Sequence, residues 1–174
     1  MTVLNLIAPT VEYRAEYLEM IAEWKQAGES FTPWVLNEDS SDFEVMVRRF
    51  EGYSRGTGVR EGAVPHSTFW LVRDDRKVLG AVNIRHYLND ALRFSGGHIG
   101  YGVRPGERRK GYATEMLSQA LVIARGLGIA RAMLTCDKEN IASARTILRN
   151  GGVLDSEDVG KDGRRFQRYR IEIK

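Results

Sequence analysis

The sequence predicts a mixed α/β fold in which the whole chain, residues 1–174, forms one domain. Three observations predict it. Short β-prone runs alternate with segments whose apolar residues recur every three or four positions, the spacing of one helix face. A chain of 174 residues suits one core of useful size. No repeat or low-complexity stretch divides it.

Taken in order, residues 3–7 are a short strand closed by Pro9. Residues 12–27 carry Tyr13, Tyr17, Met20, Ile21 and Trp24 on one helical face, and Gly28 is a stop. Residues 30–37 read as a loop. Asp42 is placed to cap a second helix that uses Phe43, Val45, Met46, Val47 and Phe50. Residues 52–65 hold Gly52, Gly56, Gly58 and Gly62 with little apolar content, and read as a mobile loop, either a connector or a substrate wall. Residues 68–72 and 77–85 form a hairpin that turns at Asp74-Asp75. Residues 89–97 read as a loop, and 98–103 as a third strand ahead of Pro105. From Gly111 to about Arg125 a long helix repeats Ala113, Met116, Leu117, Ala120, Leu121 and Ala124 at helical spacing, before Gly126 and Gly128. Residues 132–136 are a buried strand. Residues 141–149 form a helix ended by Asn150-Gly151-Gly152. Strands 153–159 and 166–173 turn at Asp162-Gly163. The hairpins make the sheet mainly antiparallel, with helices on its flanks.

Composition narrows the function classes. A net charge of +3 and a pI of about 9.1 suit a polyanionic ligand but show no basic stripe of the kind nucleic acid requires, so no nucleic-acid partner is expected. One cysteine, Cys136, excludes an internal disulfide and CxxC metal clusters. His66, His86 and His98 lack metal-ligand spacing, so no metal is expected. Residues 1–9 lack a basic n-region, and no apolar run approaches the roughly 20 residues a membrane helix needs. A cytoplasmic protein without membrane contact is expected.

The informative segment runs from Tyr101 to Thr114. A strand ends at a proline, a polar loop follows, and a long helix starts beside a glycine. Helix N-termini present unpaired N–H groups and partial positive charge, which together make an anion site. Gly111 lets the backbone approach the anion, while Arg108, Arg109 and Lys110 add attraction. The loop matches neither GxxxxGK[ST] nor GxGxxG.

Arg108-Arg109-Lys110-Gly111-Tyr112-Ala113 resembles the R/Q-x-x-G-x-G/A signature of the GNAT superfamily of N-acetyltransferases, and Val103-Arg104-Pro105 resembles its lead-in. Residues 134–144 and Asn150-Gly151-Gly152-Val153 resemble the family's next strand, turn, helix and exit. The likeness spans roughly residues 69–159. It implies a GNAT-like twisted sheet, with a parallel pair splaying apart around acetyl-CoA. Val103 would then meet the pantetheine arm, the amides from Arg109 to Ala113 would cradle the pyrophosphate, and Asn140 and Ser143 would line the channel. The acetyl group would pass directly to a primary amine of a small molecule, peptide or protein, and family members often form homodimers. Ile147 stands where many members carry a tyrosine acid, seven residues after the asparagine.

Three side chains are candidates for proton chemistry. His98 titrates near neutrality and begins the strand leading to the turn. Glu115 is a carboxylate in the first turns of the long helix, where it also suits the helix dipole. Tyr101 is a substitute for the missing tyrosine. Each also has a purely structural reading. Cys136 reads as a buried thiol without an activating partner. The rival function is a catalytically weak CoA-binding regulatory or sensor domain.

Overall fold

The computed structural model describes residues 2–174. Strand β1 (Leu4–Ile7) leads through a short turn of 3-10 helix to helix α1 (Arg14–Gln26). Tyr17, Met20, Ile21 and Trp24 make the buried face of α1, as their spacing requires. Helix α2 (Phe43–Ser54) starts where Asp42 accepts the Val45 N–H at 3.0 Å. It runs through Gly52 to Ser54, so the expected loop begins later than its first glycine. Residues 34–37, expected as loop, form a turn of 3-10 helix.

Strands β2 (His66–Arg73), β3 (Val78–Arg85) and β4 (Ile99–Val103) follow β1 in a four-stranded antiparallel sheet of order β1-β2-β3-β4. Between β3 and β4 the expected loop contains a short helix, α3 (Asp90–Phe94), capped by the Asn89 side chain on the Leu92 N–H at 3.0 Å. The long helix α4 (Tyr112–Gly126) crosses to β5 (Arg131–Asp137). Helix α5 (Ile141–Arg149) and strands β6 (Val153–Val159) and β7 (Arg165–Glu172) complete a second antiparallel sheet of order β5-β7-β6.

Strand alternation divides the core in two. Leu71, Val82 and Ile84 pack under α4 with Met116, Leu117 and Ala120. Trp70 and Ala81, on the opposite face, pack against Tyr17, Trp24 and Phe43. Trp70 is fully buried and stacks on Tyr17 with ring centroids 4.6 Å apart. Truncating such a residue to alanine costs about 3–5 kcal/mol.

Among the described residues the two sheets share a core but no strand ladder. One isolated bridge, Gly97 with Leu134, connects them, and it is antiparallel in type. No ladder forms between β4 and β5, and the two strands part beyond this bridge, as the expected splayed pair requires. Among the described residues no helix is long and apolar enough to cross a membrane.

Candidate active site

The parting of β4 and β5 opens a cleft of about 980 Å³. Residues 99–103 of β4 form one wall, and Thr135, Cys136 and Asp137 of β5 form another. The N-termini of α4 and α5 face into it.

Local geometry opens the start of α4. Arg109 and Gly111 both have positive φ, 63° and 83°. That alternation turns successive amides toward one concavity. Gly111 is the N-cap and offers no side chain to the helix. Glu115 is the first to close the helix, onto the Gly111 carbonyl at 3.2 Å. The amides of Tyr112, Ala113 and Thr114 therefore have no helical acceptor. A Cβ added at Gly111 would meet no protein atom within 4 Å, so the space beyond it is free for a ligand.

Charged contacts beneath the turn hold it in this shape. Arg104, 1% exposed, donates to Glu23 from Nε at 2.6 Å and to Glu19 from Nη2 at 2.8 Å. Glu23 also accepts the Gly106 N–H at 2.5 Å. The buried Glu107 carboxylate takes Lys110 at 2.8 Å and Lys77 at 2.7 Å, with Arg73 at 3.5 Å. Hydrogen bonds from Lys110 and Lys77 pull its pKa down to about 2. None of these anchors stood out in the sequence. The readable sign was an acidic pair one turn apart on α1, Glu19 and Glu23, with an arginine wedged between Val103 and Pro105.

The basic loop residues divide. Arg108 is committed to the protein: Nε donates to the Val103 carbonyl at 3.0 Å and the guanidinium clamps Glu29 at 3.0 and 2.6 Å. The Val103 carbonyl keeps one lone pair for the cleft. Lys110 turns to Glu107 and does not line the cleft. Arg109 does line it, as do Val103, Gly111, Tyr112, Ala113, Asn140 and Ser143. Asn140 caps its own helix, its Oδ1 accepting the Ser143 N–H at 3.1 Å.

The three proton-chemistry candidates do not converge. Tyr101 lies in the cleft, with its hydroxyl 3.0 Å from Ser143 Oγ. Burial pushes its pKa up to about 12. His98 is outside the cleft, and its Nδ1 accepts the Met133 N–H at 2.9 Å. That bond occupies the basic lone pair of the neutral ring. Glu115 faces β1 instead: it accepts from Gln119 at 2.8 Å, and Gln119 bonds the backbone of Leu4 and Leu6. Ile147 is fully buried in the core. Cys136 borders the cleft, with its pKa raised by burial. Among the described residues no group of three His, Cys, Asp or Glu is placed to hold a metal ion.

Comparison with known proteins bears on this geometry. No curated protein matches the sequence. Solved structures do match over nearly the full length. The microcin C7 self-immunity acetyltransferase MccE, in complex with acetyl-CoA and AMP, is 19% identical, with 98% of this chain and 92% of that one covered at a TM-score of 0.70. RimL, a ribosomal L7/L12 α-N-protein acetyltransferase in complex with coenzyme A, is 15% identical, with coverage of 98% and 94% and a TM-score of 0.72. The spermidine/spermine N-acetyltransferase SpeG from Vibrio cholerae is 13% identical, with coverage of 99% and 95% and a TM-score of 0.62. At such identities the likeness shows the fold. The profile described as "Acetyltransferase (GNAT) domain" matches residues 4–153, most of the sequence, and the chain belongs to the GNAT acetyltransferase family.

Proposed function

We propose that the chain transfers an acetyl group from acetyl-CoA to a primary amine. The observation that carries this reading is the uncapped start of α4, whose free amides open onto a cleft large enough for an extended cofactor. Bound there, acetyl-CoA supplies an acetyl group activated as a thioester.

The protein's part is mostly positioning and electrostatics. The amides from Arg109 to Ala113 hold the pyrophosphate, with the Arg109 side chain beside them. Val103, Asn140 and Ser143 line the path of the pantetheine arm. Tyr101 keeps its proton at working pH, since its pKa stands near 12. A free thiol titrates near 8.5. Tyr101 is thus a hydrogen-bond donor to a departing thiolate rather than its acid. Neither His98 nor Glu115 reaches the cleft, so proton removal from the amine falls to water or to the acceptor's surroundings.

A second reading rests on Ile147, which leaves α5 without a tyrosine: a CoA-binding sensor of little turnover. Titration of the protein with acetyl-CoA, followed by thiol release in the presence of an amine panel, separates the two. Amine-dependent thiol release supports the transferase. Tight binding with no such release supports the sensor, and absence of binding removes both.

A further inference from the structure

A second cavity, of about 350 Å³, lies between the β2–β3 sheet and the segments that follow α1 and α2. Arg85 lines it, and the Arg85 guanidinium lies over Gly100 of β4, where an added Cβ would stand 3.5 Å from Nη1. Gly100 itself lines the first cleft. The two cavities therefore approach each other across this contact, at the end of the cleft away from the α4 turn.

One sheet face changes character along its length. Trp70 sits opposite Ala81, then Thr68 opposite Asn83, then His66 opposite Arg85. The first pair belongs to the apolar core, while Thr68 and Asn83 are polar yet only 4% and 2% exposed. Burying polar groups costs free energy unless each is bonded. Asn83 is bonded, to Thr68 Oγ1 at 3.1 Å and to His66 Nδ1 at 2.8 Å.

Arg85 is the exception. Its Nη1 donates to the carbonyls of Gly96 and Gly97 at 3.2 and 3.3 Å. Its Nε and Nη2 donors have no protein partner among the described residues. Burial alone pulls its pKa down, with no acid to oppose it. Arg104, which is fully buried, has two glutamates. Two acids share Arg85's cavity, and neither bonds it: Glu38 binds the Tyr53 hydroxyl at 3.0 Å and pairs with Arg49 at 4.0 Å, and Glu61 lies on the exposed rim. Arg60, stacked 3.7 Å over Trp34, adds a second positive charge to the wall, opposed by Glu61.

A planar guanidinium with a free edge and no carboxylate bonded to it, set in a polar cavity, matches a carboxylate or a phosphate. We propose that Arg85 anchors an anionic group of the acetyl acceptor, so that the substrate class is a small primary amine bearing a carboxylate or phosphate at its other end. This rests on the acetyltransferase reading above.

The test uses matched acceptors with the full-length protein and acetyl-CoA. β-Alanine, 4-aminobutanoate and 6-aminohexanoate are compared with their amides, and O-phosphoethanolamine with ethanolamine. The anionic member of at least one pair should show a kcat/KM roughly thirtyfold or more above its neutral partner, the usual scale for removing one side of a buried charge pair. Carboxylate against phosphate pairs identify which anion is read. Arg85→Met should erase the preference through KM, with acetyl-CoA affinity and melting temperature near wild type; Arg85→Lys should restore part of it. Equal rates on charged and neutral partners would overturn the proposal, as would an Arg85→Met loss that falls equally on both. If acetyl-CoA binds but no amine is acetylated, the transferase reading fails by itself, and NMR titration of the Arg85 Nε–H with the same anions decides the site. Shifts that saturate with the anionic probes and not with their neutral partners uphold it, and their absence removes it.

Discussion

Two helices point their N-termini into the same cleft, and they begin in opposite ways. Helix α5 closes its own first turn, with Asn140 bonded to the Ser143 amide. Helix α4 begins at Gly111 with nothing across its amides. An anion competes with an existing cap at α5 and with nothing but water at α4. The difference teaches that an open helix start is specified as much by what the sequence withholds as by basic residues. Of the three cations ahead of α4, Arg108 and Lys110 are spent on Glu29 and Glu107.

The largest expected effect breaks this comparison outright. Gly111→Glu puts a side chain and a negative charge into the open turn, at a φ of 83° that costs about 1–2 kcal/mol by itself. Acetyl-CoA affinity should fall by more than about a hundredfold, read by calorimetric titration, with circular dichroism unchanged. Wild-type affinity in this variant would remove α4 from the site.

Glu107→Gln tests the anchors under the turn. We expect a loss of about 2–3 kcal/mol at pH 7, or a melting temperature lower by about 5–10 °C. The pH dependence has a definite sign. The folded carboxyl is depressed from 4.5 to about 2, so its stabilisation is complete above 4.5 and disappears as pH falls toward 2. The gap between wild type and variant, measured by denaturant melts, should close over that window. A gap independent of pH would mean the ion pairs contribute nothing.

Tyr101→Phe removes the donor beside Ser143. It should lower kcat about tenfold with little change in acetyl-CoA affinity, a loss near 1.4 kcal/mol. An unchanged kcat would leave the thiolate unassisted. The smallest effect sharpens the contrast between the helices. Asn140→Ala should cost about 1 kcal/mol of stability, as for a lost cap, while leaving pyrophosphate affinity within about threefold. A collapse of affinity there would place the anion at α5 instead.

What the sequence revealed followed from local rules. Helix α5 and strand β6 have the bounds that residues 141–149 and 153–159 predict, because period, cap and glycine stop act within a few residues. The turn of residues 108–113 was readable for the same reason. Helix α3 was not, since it is one turn long and depends on Asn89 as a cap. The placements of His98 and Glu115 were hidden because long-range partners decide them: Met133 from the other sheet and, through Gln119, the first strand. The polar wall around Arg85 was equally invisible, since strand alternation gives the face of a residue and not what lies over it.

The single bridge between the sheets, Gly97 with Leu134, has a mechanical consequence. The halves share the core under α4 but no ladder along the cleft, so a molecule lying along the gap becomes a strut that touches both. Its binding free energy is then added to the cohesion of the halves, and heat resistance should climb with the logarithm of its concentration above the dissociation constant. Backbone amides of β5 and β7, remote from the turn of residues 108–113, should exchange their hydrogens more slowly once the strut is in place.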